Sequence, residues 1–188
     1  MAVVQSIAHQ TLDQAKTIAD FENRFDKRLQ ALSRVQSLLS RAEPITLGAV
    51  VGMELEAIGD GTFQDRIAIA GPEVVLRKSA VEMLALAIHE LLTNAIKYGA
   101  FASETGRLSV SLRIEGMPPD QQLVLEWIER GITSPAPPPD PKRSGYGRTL
   151  IEEALPYSLS AETIFDLGPE GLYCRIRLPL ARGDAREE

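Results

Sequence analysis

At 188 residues the chain has room for one full domain and a small appendage. Its formal net charge of −6 argues against a general nucleic-acid binder, which would be basic. The single cysteine, Cys174, excludes an internal disulfide framework, and its apolar register with Ile176 and Leu178 makes it a core thiol. There is no run of 18 apolar residues and no basic–apolar–small leader at the start, so the expected location is cytoplasmic.

Residues 2–15 have a helical pattern of Val3 or Val4, Ile7, Leu12 and Ala15. Asp20 is the expected N-cap of a second helix, whose apolar positions are Phe21, Phe25, Leu29, Leu32, Val35 and Leu38. That helix ends near Arg41, before Glu43-Pro44. Two helices with a short link predict a hairpin over residues 1–43. A hairpin alone buries little, so its apolar stripes must meet a second copy of the chain or the domain that follows.

That domain spans 46–181, with a charged tail at 182–188. Thr46 opens a short helix through Glu56, and Gly59-Asp60-Gly61 is a turn. Arg66–Ala70 and Val74–Leu76 read as short strands. From Val81 to Phe101 a long helix follows, with Leu84, Ile88, Leu91, Leu92 and Ala95 as its core stripe. Glu90, Asn94 and Lys97 form a second stripe on it. Polar groups along so apolar a helix need partners. Two readings stand: a Glu90–Lys97 pair on a wet face, or a ligand, with Asn94 giving an oxygen to a metal and Lys97 meeting phosphate.

Strands follow at Leu108–Ile114 and Leu123–Glu129, then at Leu159–Phe165 and Leu172–Leu178. Glu129 shares a face with Leu123, Leu125 and Trp127, an unusual place for a carboxylate. The loop 131–144 holds five prolines and no apolar period, which suits a lid. Gly145-Tyr146-Gly147 then opens a helix through about Leu155, and backbone amides at such a start can hold an anion. Strands with one apolar face and helices to cover it predict an α+β, two-layer α/β sandwich.

The stretch His89-Glu90-Leu91-Leu92-Thr93-Asn94-Ala95-Ile96-Lys97-Tyr98-Gly99 resembles the N box of a sensor histidine kinase. With Trp127-Ile128-Glu129 it resembles the HWE family of bacterial histidine kinases, named for that His and that Trp-x-Glu. The likeness runs on through Gly145-Tyr146-Gly147 and covers nearly the whole chain. It implies the ATP-binding fold shared by histidine kinases, gyrase, Hsp90 and MutL, preceded by a partial dimerisation and phosphotransfer hairpin. It implies ATP and Mg²⁺ as cofactors, a response regulator as partner and a homodimer through the hairpin.

By the same resemblance, Asn94 is the Mg²⁺ ligand, while Glu90 accepts a proton or orders a metal-bound water. Lys97 contacts phosphate, Tyr98 is wall, and Glu129 takes the place of the carboxylate that reads the adenine amino group. His89 is either a core histidine that orients its neighbours or a catalytic base. Gly131, Gly145, Tyr146 and Gly147 line the nucleotide, with Lys142 and Arg143 on the lid. Two departures stand out. The family has two glycines after its Glu, whereas Gly131 is followed here by Ile132. The family's acceptor histidine belongs about ten residues before a segment like Val4–Ala8, and His9 lies beyond that segment. A scaffold that does not phosphorylate itself is therefore the alternative to a kinase. A serine kinase acting as an anti-sigma factor fits less well, because it needs nothing before residue 45.

Overall fold

In the computed structural model, residues 2–40, 43–58, 62–132 and 146–180 are described. The Gly59-Asp60-Gly61 turn, most of the proline-rich loop with Lys142, Arg143 and Gly145, and the tail lie outside them.

Helices α1 (Ala2–Gln14) and α2 (Ile18–Leu39) make the expected hairpin. The start of α2 differs from expectation: Thr17, not Asp20, is its N-cap. The Thr17 hydroxyl accepts the Asp20 N–H at 3.1 Å. Asp20 answers from the first turn, accepting from the Lys16 N–H and from Arg24 Nε. A hydroxyl and a carboxylate three residues apart thus satisfy each other's neighbouring amides, and the helix begins earlier.

Helix α3 (Leu47–Ile58) is capped by Thr46, which accepts the Ala49 N–H at 3.2 Å. Val74–Leu76 is not a strand. It makes one bridge, Thr46 to Val75, because among the described residues its backbone pairs with just the short lead into α3. Strand β1 (Ile67–Ala70) precedes α4 (Lys78–Lys97), the long central helix. Strands β2 (Arg107–Glu115) and β3 (Gln122–Arg130) follow. After the loop come α5 (Tyr146–Thr149), a π turn (Leu150–Ala154) and α6 (Leu155–Leu159). Leu159, expected to open a strand, closes this helical stretch, and left-handed Ser160 turns the chain into β4 (Glu162–Gly168) and β5 (Gly171–Pro179).

The five strands lie in the order β1-β2-β3-β5-β4. β1 is parallel to β2 and every other pair is antiparallel. Register stacks Val110, Trp127 and Cys174 in one row and Leu112, Leu125 and Ile176 in the next, all on the buried face. The other face carries ion pairs such as Arg113–Glu126 and Arg177–Glu115. The architecture is the expected α+β sandwich.

Helix α4 fills the space between sheet and hairpin. Its predicted stripe, Leu84, Ile88, Leu91, Leu92 and Ala95, is at most 1% exposed. Lys78–Ala102 is long and apolar enough to cross a membrane by composition, but it is largely buried inside the protein. Ile7 of α1 and Ala31 and Val35 of α2 join the same core. Here the hairpin's apolar stripe meets the rest of its own chain.

Candidate functional site

Glu90 lies in the middle of α4 and is 8% exposed. Its partner is not Lys97. Arg28 of α2 donates Nε to one carboxylate oxygen at 2.7 Å and an Nη to the other at 3.3 Å. The remaining Nη donates to Thr11 Oγ1 of α1 at 2.6 Å. The guanidinium also lies 3.9 Å from the centre of the Tyr146 ring. Three elements, α1, α4 and α5, converge on this one arginine of α2. Burial and the Glu90 carboxylate push the Tyr146 hydroxyl up to about 12, so the ring stays neutral.

His89 points elsewhere. Its Nδ1 is 2.9 Å from Glu54 of α3, which has no exposure at all. Glu54 also accepts from Arg34 of α2 at 2.7 Å. Burial pushes the Glu54 carboxyl up, but the bonds from His89 and Arg34 outweigh it and hold it below its ordinary value. The Glu54 contact is one that an orienting core histidine would make.

Asn94 sits one turn beyond Glu90 and is partly exposed. Gly147 packs against both. A Cβ there would lie 2.9 Å from Glu90 Cβ and 3.4 Å from Asn94 Nδ2, so a bare backbone lets α5 close onto α4. Lys97 is exposed at the helix end. Burial of its stem, with Lys27 and Arg24 of α2 nearby, holds its ammonium below the ordinary lysine value, and Glu90 opposes this only in part. A cation repelled by cations is suited to receive an anion. Tyr98 caps α4 and is 58% exposed, as a wall residue would be.

Glu129 is 2% exposed. One oxygen accepts the Trp127 indole N–H at 2.9 Å, and the other accepts the Ala100 backbone N–H at 2.8 Å. A Cβ on Gly99 would come within 2.0 Å of that second oxygen. Burial pushes the Glu129 carboxyl up, with the two N–H bonds opposing. These contacts anchor the turn that ends α4. Gly131 follows at φ +74°, a left-handed position that suits glycine. Gly145 lies outside the described residues.

Arg28, Thr11, Arg34 and Glu54 were not singled out from the sequence, yet two of them carry a legible signal. Glu54 falls in register with Leu47, Val50 and Val51, and Arg28 with Ala31 and Val35. A charge at a core position of an amphipathic helix asks for a partner. What sequence alone does not supply is which partner, since Arg28 and Glu90 are 62 residues apart.

Among the described residues no group of three His, Cys, Asp or Glu side chains could hold a metal. This donor set still fits Mg²⁺ brought with a nucleotide, which takes one or two protein oxygens and otherwise phosphates and water.

The fold and the central helix are those of a domain of the histidine kinase ATP-binding type. A family model described as HWE histidine kinase matches residues 1–73. A blue-light-activated histidine kinase of Brucella anthropi is 33% identical over 182 residues, covering 96% of this chain and 36% of that protein. Its counterpart in Brucella ovis is 30% identical over 185 residues, with the same shares covered. The chain thus spans about a third of the curated relatives it matches. Among solved structures, the Erythrobacter litoralis EL346 blue-light activated histidine kinase superposes with a TM-score of 0.61 at 23% identity. That match covers 95% of this chain and 62% of that one. The histidine kinase domain of the same protein superposes with a TM-score of 0.60 at 20% identity, covering 96% and 95%. This chain is thus similar to HWE histidine kinases over residues 1–73 and to blue-light-activated histidine kinases over 96% of its length.

Proposed function

We propose that the chain binds Mg·ATP and serves a two-component kinase that passes the γ-phosphoryl group to a histidine and on to a response regulator. The observation that carries this is the meeting of Asn94 and Glu90 with Gly147 at the start of α5, beside Lys97, whose ammonium lies near the cations Lys27 and Arg24. Asn94 supplies an oxygen toward the metal, and Glu90 acts through water. Lys97 meets phosphate as a point charge. Bound Mg²⁺ would screen the phosphates; the chain's own part is to place them. Glu129 acts at one remove, by fixing the turn that positions Lys97 and Tyr98. The cytoplasm is the proposed location, and a homodimer through the hairpin is part of the reading. Leu12 and Ile18, 63% and 79% exposed near the hairpin turn, support an outward apolar surface.

Calorimetry with a non-hydrolysable ATP analogue tests the site. Binding should require Mg²⁺ in the native chain, and Asn94→Ala should remove that requirement along with most of the affinity. Unchanged, metal-dependent binding by Asn94→Ala would sink the assignment.

A further inference from the structure

On the outer face of the sheet, Arg113 holds Glu115 and Glu126, and Arg177 holds Glu115 and Glu162. At one end of that face the pairing stops. Arg107 of β2 and Arg130 of β3 stand directly opposite each other in the ladder, both exposed. Arg66 comes just before β1, whose Ile67 pairs with Leu108, the neighbour of Arg107. Three adjacent segments thus set three arginines in a row. Among the described residues no carboxylate is bonded to any of them; their bonds are to backbone carbonyls.

Like charges directly opposite on a ladder weaken it. Arg107 gains little in return, a bond of 3.4 Å to the carbonyl of Gly106 beside it. Arg66 is held more firmly, but by neutral groups. Its Nη1 donates to the Ser103 and Glu104 carbonyls, and its guanidinium lies 5.1 and 5.4 Å from the centres of the Phe63 and Phe101 rings. Such contacts fix a cation without cancelling its charge. All three arginines line a groove of about 320 Å³, together with Ile67 and Ile128. Among the described residues that line it, Asp65 is the one acid. The lining therefore carries three positive charges and one negative, on a chain whose net charge is −6. The groove is of a size that takes a small molecule. It lies apart from the N box, because alternation along β3 buries Glu129 and turns Arg130 outward.

We propose that this groove is a further ligand site, for a small organic dianion: a phosphomonoester or a dicarboxylate with an apolar body. Arg107 and Arg130 grip the anionic oxygens with their planar forks, and Arg66 adds a fixed positive charge at one end of the row. The apolar part of the ligand lies on Ile67 and Ile128. A bound dianion matches the excess charge of the lining and relieves the Arg107–Arg130 repulsion. The site stands independently of the Mg·ATP reading, since it uses the opposite face of the sheet.

Amide NMR spectra of the full chain, at neutral pH in buffer free of phosphate, test this with two probes, phenyl phosphate and benzylmalonate. At least one should give saturating shifts centred on residues 66–68, 107–109 and 128–130. Saturation by phenyl phosphate alone assigns a phosphomonoester, and by benzylmalonate alone a dicarboxylate. Saturation by both assigns a site that reads the two charges and not the headgroup. In the double variant Arg107→Gln with Arg130→Gln, affinity for the effective probe should fall at least tenfold. Without ligand, that variant's thermal midpoint should equal or exceed the native one, because a repulsion has been removed. The probe should raise the native midpoint and leave the variant's unchanged. Shifts that do not saturate, that spread evenly over surface arginines, or that persist in the double variant would overturn the proposal. So would a double variant that melts below the native chain without ligand, since Arg107 and Arg130 would then serve the fold.

Discussion

Gly99 is small because Glu129 needs the space. An alanine there would set its Cβ 2.0 Å from the Glu129 carboxylate and 2.8 Å from Ala95 Cα. Gly99→Ala should cost roughly 2 kcal/mol through overpacking, read as a lower thermal midpoint. Glu129→Gln keeps the volume but turns an amide N–H₂ toward one of two N–H donors. It should cost about 1–2 kcal/mol, and a midpoint equal to the native chain's would show that the anchor is idle. Glu54 makes a pH prediction. Its folded value lies below the ordinary 4.5 because His89 and Arg34 outweigh burial. The stability it contributes is complete above 4.5 and is lost as pH falls through the folded value. Glu54→Gln should therefore be less stable than the native chain at pH 7, by roughly 2 kcal/mol. The gap should close below pH 4.5, and a gap independent of pH would mean that Glu54 acts by shape alone.

At the scale of elements, pattern carried most of the fold. α4 could be read with its core stripe because an apolar period over five turns has one interpretation. β2, β3 and β5 could be read because alternation shows which face is buried. The α2 cap lies three residues before the expected Asp20. Asp20 and Thr17 both suit a cap, and only the Asp20 N–H bond to the Thr17 hydroxyl decides between them. Thr17→Ala should cost about 1 kcal/mol and fray α2 first, visible as faster amide exchange in its opening turn. Val74–Leu76 misled because an apolar triplet says nothing about whether a second strand is beside it. A motif names the candidate site in the sequence, at Glu90, Asn94 and Lys97, and the contacts made around it are a separate matter. Those contacts were not legible where they depend on α2 and α3 folding back, as with Arg28 and Glu54.

On the scale of the whole molecule, the hairpin offers its one histidine to the wrong side. His9 Nδ1 bonds the Gln5 carbonyl at 3.0 Å, and the side chain is exposed. Thr11, two residues on, is buried against Arg28. Two residues are about 200° around a helix, so His9 faces away from the N box. Incubation of this chain with γ-labelled ATP should leave it without acid-labile, base-stable phosphate. Strong labelling that vanishes in His9→Gln would make His9 the acceptor and would require a different docking of α1.

The chain has one tryptophan, and it is fully buried with its indole N–H on Glu129, the residue that fixes the end of α4. That makes Trp127 a native optical probe, uncrowded by any second emitter of its kind. Its emission colour and intensity follow the polarity and hydrogen bonding around the ring. A rearrangement that reaches the Gly99 turn can thus be timed by stopped-flow fluorescence on unlabelled protein, while one confined to the hairpin will be dark. The molecule comes with its own means of telling the two apart.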